Sequence, residues 1–351
     1  MKILVGISGG VDSAAAARLL MNMGHEVEGA VLIMHEHTEL SAAKEVAESL
    51  HIPLHEIDAR DAFDKVVRTN FVSEYLAGRT PNPCIICNAE VKFKYLHDYA
   101  ISHGFDKIAT GHYAKVASYE SCGETRYLVL AGEDTAKDQS YMLYRLSQEI
   151  LSRLILPLAE YNKVEIRKIA RDAELSVADR ADSLEICFIP DNDYAAYIES
   201  VGGKSPDGDF VDGEGRVLGR HKGIIRYTVG QRKGLGISLG ERAFVSKIDA
   251  AANTVTLSRG AYAVSRLLVS DIVYSGIKDQ ELGKTVRLSV RVRYKSKPVL
   301  ASVSFIEGGM AEVLLDTSVS ASPGQSAVFY DGNRVIAGGF ITSVESFDGR
   351  F

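Results

Sequence analysis

The residues best suited to chemistry lie at the very start of the chain. Ser8-Gly9-Gly10-Val11-Asp12-Ser13 follows an apolar run, Lys2 to Ile7, and precedes an alanine-rich stretch. A strand, a glycine turn and a helix in that order aim free backbone N–H groups and a positive helix end at an anion. Gly9 and Gly10 let a phosphate approach the backbone and tolerate positive φ. Ser8 and Ser13 add hydroxyl donors, and Asp12 can hold Mg²⁺ beside the anion. The loop has no lysine, so it is not of the G-x-x-x-x-G-K-[ST] type. Its glycine spacing also fails the dinucleotide pattern G-x-G-x-x-G.

Thiols form the second set. Four cysteines, Cys84, Cys87, Cys122 and Cys187, are too few for a disulfide scaffold in a chain of 351 residues. In the loop Gly78 to Asn88, Pro81 and Pro83 fix an extended path. That path delivers Cys84-x-x-Cys87 to the start of a helix expected over Asn88–His103. A thiol at a helix N-terminus has a stabilised thiolate, so a lowered pKa and a good nucleophile are expected there. A structural zinc would need four ligands, and no second Cys-x-x-Cys exists. A thioredoxin-like pair is disfavoured because the prolines precede it in another kind of fold. Cys187, between Ile186 and Phe188, reads by itself as a buried structural cysteine. Cys122 sits in a glycine-flanked polar hairpin and reads as incidental.

The elements that carry these residues alternate. Strands at Glu26–Ile33, Leu54–Asp58 and Lys107–Thr110 are separated by helices at Leu40–Leu50 and Asp61–Leu76. That order predicts an α/β fold with a doubly wound parallel sheet, with ligands at the carboxyl ends of the strands. Asn162-Lys163-Val164-Glu165 has capping-box spacing and opens a further helix. From about Lys204 glycine becomes frequent and short strands take over, first as a small central β domain and then as a barrel or sandwich. Three domains are therefore expected, over residues 1–203, 204–265 and 266–351.

Net charge is −6, but residues 214–297 hold 17 Lys/Arg against 6 Asp/Glu, an electrostatic footprint for a polyanion. Arg291, Arg293, Lys295 and Lys297 alternate, which on a strand would give one basic stripe. No run of about 18 apolar residues is present to span a bilayer. The first residues lack the basic and apolar regions of a signal peptide. A cytoplasmic protein with no membrane partner is expected.

SGGVDS resembles the pyrophosphate loop of ATP pyrophosphatases (the PP-loop superfamily), which split ATP to AMP and pyrophosphate. With it stand GRTPNPCIICNAEVKF (78–93), ATGHYA (109–114), KDQSYMLY (137–144), ICFIP (186–190), YTVGQRKGLGI (227–237) and RVRYKSKP (291–298). Together these seven stretches, in this order, resemble the bacterial tRNA-specific 2-thiouridylases (MnmA-type) over nearly the whole chain.

The resemblance implies a PP-loop catalytic domain, a central tRNA-binding β domain and a C-terminal β-barrel. It implies adenylation of the C2 oxygen of a wobble uridine, then sulfur transfer from a cysteine persulfide. ATP and Mg²⁺ are the implied cofactors, with ATP held by Gly6, Ile7, Ser8, Gly9, Gly10, Val11, Asp12, Ser13, Leu32 and Gly111. Asp12, Cys87 and Cys187 are the implied catalytic residues: Cys187 carries the persulfide, Cys87 attacks, and the two pass through a transient disulfide. The implied tRNA contacts are Asn82, Pro83, Cys84, His112, Lys137, Asp138, Gln139, Arg293, Tyr294 and Gln325. The implied partners are tRNAs for Lys, Glu and Gln and a persulfide donor from a cysteine desulfurase relay.

At position 84 well-known members have aspartate, and others resemble this chain. Cys84, Cys87 and Cys187 could then converge as ligands of a [4Fe–4S] cluster that binds hydrosulfide, the alternative route for sulfur. Two other readings compete with the whole: a PP-loop synthetase forming amides on a small molecule, and a non-catalytic RNA-binding module. The first leaves the cysteines and the basic middle unused, and the second leaves Asp12 without a role.

Overall fold

The computed structural model describes residues 1–121, 123–180, 186–237, 240, 242–260, 262–275 and 284–345. Its first strand, β1 (Lys2–Gly6), buries Ile3, Leu4 and Val5 completely, as a central parallel strand covered on both faces must. There follow β2 (Glu26–Ile33), β3 (Leu54–Asp58), β4 (Lys107–Ala109), the hairpin β5 (Ala114–Ser121) and β6 (Glu124–Ala131), and β7 (Leu154–Ile155). Five of these form a parallel sheet of order β3-β2-β1-β4-β7 among the described residues. Strand order reverses between β1 and β4, so the ligand crevice opens at their carboxyl ends.

Two long helices flank that crevice. Arg60–Ala62, Phe63–Arg68 and Thr69–Leu76 run on as one helix with a π-helical middle. Pro83–Ile86, Cys87–Lys92 and Phe93–Ser102 do the same. The second begins at Pro83 rather than at the expected Asn88, because Asn82 caps it and proline suits the first helical position. Both π-helical stretches lie beside the thiols, and such turns concentrate at functional sites. Beyond the hairpin the chain makes a 3₁₀ turn, Ser140–Met142, and a short helix, Gln148–Arg153.

The central unit is a four-stranded sheet, β8 (Gly208–Val211), β9 (Val217–His221), β10 (Ala243–Asp249) and β11 (Thr254–Arg259), in the order β10-β11-β8-β9. In the last unit β12 (Val264–Tyr274), β13 (Thr285–Arg291), β14 (Val299–Ile306), β15 (Met310–Val319), β16 (Ser326–Asp331) and β17 (Arg334–Glu345) close into a barrel through a β12–β17 pairing. The barrel is fused to the first unit in two ways. Leu130 of β6 pairs with Arg334 of β17, so the hairpin extends the barrel sheet. One apolar core also runs from Leu4, Phe93 and Leu96 through Tyr141 and Tyr144 to Val328, Tyr330 and Val335.

Strand β13 ends at Arg291, and Arg293, Lys295 and Lys297 lie in the turn that follows. The expected four-residue basic stripe on one strand face therefore does not form. Cys122 and Ser183–Glu185 lie outside the described residues. No described helix is long and apolar enough to cross a membrane.

Candidate active site

The phosphate-type loop is held in shape by its own serines. The Ser8 N–H donates to Ser13 Oγ at 3.1 Å, and Ser13 Oγ donates to the Gly10 carbonyl at 3.0 Å. Gly9 has φ +77° and lies so close to the helix Leu40–Leu50 that a Cβ would meet Ala42 at 2.6 Å. The helix Val11–Asn22 starts directly after it, with Gly10 as an extended cap. Leu32, at the end of β2, is nearly buried in the core. Gly111 packs against the loop itself: a Cβ there would sit 2.6 Å from the Asp12 carbonyl carbon.

Three residues that sequence reasoning missed hold the loop, two of them on Asp12. Lys163 places its ammonium 2.7 and 2.8 Å from the two Asp12 carboxylate oxygens. The Tyr113 hydroxyl donates to Oδ1 at 2.7 Å. Arg180 donates to the Gly9 carbonyl at 3.1 Å and pairs with Glu39. The cation absent from the loop thus arrives from 151 residues away. The capping box is present as expected: Asn162 accepts from the Val164 and Glu165 N–H groups, and Glu165 bonds back. It fixes where this helix begins, and so places Lys163 in its first turn.

The thiols gather on the other side of Gly111. Asn82 Oδ1 accepts from the Cys84 N–H at 3.2 Å and sets the helix start. Cys84 and Cys187 keep solvent contact, while Cys87 is buried with its Sγ 3.7 Å from Met34 Sδ. Phe188 anchors the Cys187 segment. Its ring lies 5.4 Å from each of Phe63, Phe71 and Tyr197, with the Arg68 guanidinium 5.7 Å over it. Cys187 is therefore exposed beside a buried neighbour, not the buried structural cysteine its apolar flanks indicate.

Cys87 and Phe188 pack in one apolar cluster with Ile86 and Ile186 against it, and the charges of Cys84 and Cys187 bear on Cys87, so the three thiols are neighbours. Burial pushes Cys87 up to about 12, and the protein packed around the other two thiols on all but their solvent side still raises Cys187, to about 11, and Cys84. The lowered pKa expected of a thiol at a helix N-terminus is overturned, since desolvation of the thiolate outweighs the helix end. Lys92, a fourth residue sequence reasoning passed over, opposes that rise at all three thiols. Its charge also reaches His112, whose pKa falls to about 3, chiefly through burial. His112 is therefore a neutral imidazole, bonded to Thr110 Oγ1 at 2.8 Å and lying 5.3 Å from the Phe93 ring. Among the described residues no three histidine, cysteine or carboxylate side chains come together as metal ligands. The ligand set Cys84, Cys87 and Cys187 expected for an iron–sulfur cluster is thus not assembled.

Most residues expected to touch tRNA are braces here. Asp138 is 5% exposed and accepts from the Gly132 and Ser140 N–H groups and from Ser140 Oγ. It also pairs with the Arg291 guanidinium of the barrel, so its carboxylate is not offered to a partner. Gln139 Oε1 accepts from the Tyr113 N–H at 2.9 Å, and the Gln139 N–H donates to the Tyr113 carbonyl at 2.8 Å. It thereby holds the tyrosine that reaches Asp12. Lys137 lies at the mouth of that loop, its N–H on the Asp134 carbonyl. Arg293 donates to Ser322 Oγ and Gln325 to the Thr80 carbonyl, each at 2.8 Å. Tyr294 is half-buried, its ring 6.3 Å from that of Tyr141, and burial first, then the Asp138 and Cys84 charges, raise its pKa. Asp138→Asn should destabilise the protein by about 3–5 kcal/mol in a denaturant titration, because it leaves the Arg291 charge buried and uncompensated.

Comparison with known proteins fits this geometry. A tRNA methyl transferase HUP domain model matches residues 1–191, a tRNA methyl transferase PRC-barrel domain model matches 195–259, and an aminomethyltransferase beta-barrel domain model matches 264–341. The tRNA-specific 2-thiouridylase MnmA 1 of Clostridium tetani is 42% identical over 98% of both chains. That of Treponema denticola is 42% identical over 98% of this chain and 99% of its own. This chain belongs to the tRNA-specific 2-thiouridylase family. A third 2-thiouridylase, from Acetivibrio thermocellus, is 43% identical over 97% of this chain and 99% of its own. Among solved structures, a 4-thiouridine synthetase–RNA complex with bound ATP covers 57% of this chain and 50% of its own, at 16% identity and a TM-score of 0.38.

Proposed function

We propose that this 2-thiouridylase family member is an ATP-dependent tRNA sulfurtransferase that replaces the C2 oxygen of a wobble uridine by sulfur. One observation carries this reading. Gly111 packs on the backbone of Asp12, and the next residue, His112, lies in the field of the same Lys92 that acts on Cys84, Cys87 and Cys187. A phosphate site and a thiol recess are one residue apart.

The chemistry needs both. A carbonyl oxygen is a poor leaving group; attack of that oxygen on the α-phosphorus of ATP expels pyrophosphate and converts it to an AMP ester. Gly6 to Ser13 supply the N–H and hydroxyl donors for the polyphosphate. Lys163 is the cation for the β- and γ-phosphates that the loop lacks, and Asp12 is the residue that would hold the Mg²⁺ accompanying ATP, which shields phosphate charge. Cys187, open to solvent, takes a sulfane sulfur from an external persulfide donor. Its terminal sulfur can attack C2 directly, forming C–S and expelling AMP; Cys87 then attacks Cys187 Sγ and frees the thiocarbonyl. Alternatively Cys87 first attacks Cys187 Sγ and releases hydrosulfide, which displaces AMP. Either order leaves a Cys87–Cys187 disulfide, which an external dithiol reduces.

In this reading Asn82, Cys84, His112 and Tyr294 would receive the extruded base, with Arg293 and Lys137 as further tRNA contacts. The excess of basic residues over 214–297 serves the tRNA body, with tRNAs for Lys, Glu and Gln as substrates. The reaction places the protein in the cytoplasm. The test is nucleoside analysis of tRNA incubated with the protein, ATP and a persulfide donor. One AMP and one pyrophosphate should appear per 2-thiouridine formed. Pyrophosphate release driven by a small amine without tRNA would count against it.

A further inference from the structure

The helix that carries two of the thiols also carries a lysine with no acidic partner. Lys92 is half-buried at the end of the π-helical stretch Cys87–Lys92. Other lysines are neutralised where they lie: Lys44 by Glu56, Lys115 by Glu160, Lys163 by Asp12 and Lys168 by Asp172. Among the described residues no carboxylate pairs with Lys92. Holding an ammonium partly out of water without a partner costs stability, and a neutral side chain at this position would avoid that cost.

The helix geometry shows what the ammonium serves. A π-helical turn closes on the fifth residue, which brings Lys92 round to Cys87. Cys84, Asn88 and Lys92 follow one another at a spacing of four, along one face of the helix. Val91, next to Lys92, is buried with Cys87 and Phe188 in one apolar cluster, so the Cys187 segment lies against this flank of the helix as well. The Lys92 charge accordingly reaches Cys84, Cys87, Cys187 and His112. At Cys87 the Cys84 and Cys187 charges act against ionisation and the Lys92 charge acts for it.

We propose that Lys92 is the counter-ion of sulfur transfer: its ammonium offsets the negative charge that passes from Cys87 to the departing sulfur. The inference rests on the sulfurtransferase reading. The Cys87 thiol first gives its proton to water. Its sulfur then bonds to Cys187 Sγ, the bond from Cys187 Sγ to the sulfane sulfur breaks, and the electron pair leaves on hydrosulfide or on the sulfur of the thiolated base. One negative charge is carried through beside the same ammonium, so either order of transfer needs it.

The test uses the full chain and follows Cys87 by peptide mass spectrometry during exposure to iodoacetamide at one fixed pH. The thiolate is the reactive species, and an opposite charge about 4–6 Å away changes the ionised fraction by about tenfold or more. Lys92→Met should therefore alkylate at Cys87 about tenfold more slowly than the unsubstituted protein, and Lys92→Arg at nearly the unsubstituted rate. Single-turnover thiolation with ATP, transcribed tRNA and a persulfide donor should fall by about tenfold in Lys92→Met and recover in Lys92→Arg. A tRNA phosphate contact would behave otherwise: Lys92→Met would weaken tRNA binding and flatten its salt dependence while Cys87 reacted at the unsubstituted rate. That pattern, or equal alkylation in all three proteins, overturns the proposal. Should Lys92→Met fail to fold, the unsubstituted protein decides. A neighbouring ammonium favours the anionic reagent, so the ratio of iodoacetate to iodoacetamide reactivity should be higher at Cys87 than at free cysteine, and a ratio no higher overturns the proposal equally. Absence of thiolation in the unsubstituted protein would instead strike the proposed function and leave the alkylation comparison readable.

Discussion

Cys187→Ser is expected to lower tRNA thiolation by roughly three orders of magnitude or more, with tRNA affinity unchanged. The argument is one of access. Cys187 is exposed on a shoulder pinned by the buried ring of Phe188, so an external donor can reach its sulfur without unfolding anything. Cys87 is 7% exposed, so its sulfur is far less open to an external donor. Cys87→Ser should be as inactive but stall elsewhere: mass spectrometry should find Cys187 one sulfur heavier after exposure to the donor. The pH behaviour sets Cys87 apart from an ordinary thiol. With a pKa of about 12, Cys87 at pH 7.5 is ionised in only about one molecule in thirty thousand. Burial favours the neutral thiol, so ionisation rises as pH climbs, and alkylation of Cys87 should accelerate about tenfold per pH unit from about pH 8 to about pH 10 without levelling. An ordinary thiol would level near pH 9. Thiolation by Cys187→Ser at the unsubstituted rate would sink the relay.

The two halves of the site differ in how far they could be read from sequence. The loop Gly6 to Ser13 was legible because strand, glycine turn and helix are local, and the capping box at Asn162 was legible for the same reason. The thiol helix was placed five residues late because Asn82 and Pro83, taken as loop, are its cap and first residue. Thiol acidity was misjudged because it depends on burial by segments far apart in sequence, including those of Met34 and Phe188. Asp138 stands in a polar run that reads as a solvated loop, yet it is buried against Arg291, a partner 153 residues away. The hairpin Ala114–Ala131 gave no sign that it would extend a barrel built from the last 90 residues of the chain, since its pairing with β17 is wholly long-range. Fold class follows from alternation and texture; the joints between units follow from tertiary pairing.

Lys163→Met is expected to lower tRNA-dependent pyrophosphate release by about a hundredfold, the scale of removing one electrostatic contact to a transferring phosphoryl group. Glycine loops with a built-in lysine carry their own cation; this loop has none, and the helix Lys163–Asp172 brings one to Asp12. In the nucleotide-free protein both Asp12 oxygens are engaged by that ammonium, and Oδ1 also by the Tyr113 hydroxyl. Mg²⁺ must compete for the same carboxylate, and Lys163 is then free to turn to the polyphosphate. The variant should therefore show two effects of opposite sign. With Lys163 gone, Asp12 has no cation on it, and the divalent ion alone, read by Mn²⁺ titration, should bind more tightly than to the unsubstituted protein. MgATP should bind more weakly, because the phosphates lose a positive partner. Lys163→Arg keeps the charge and should recover part of the activity. A residue that merely propped up the fold would weaken both ligands together, and Lys163→Met with full pyrophosphate release would leave the loop without its proposed cation.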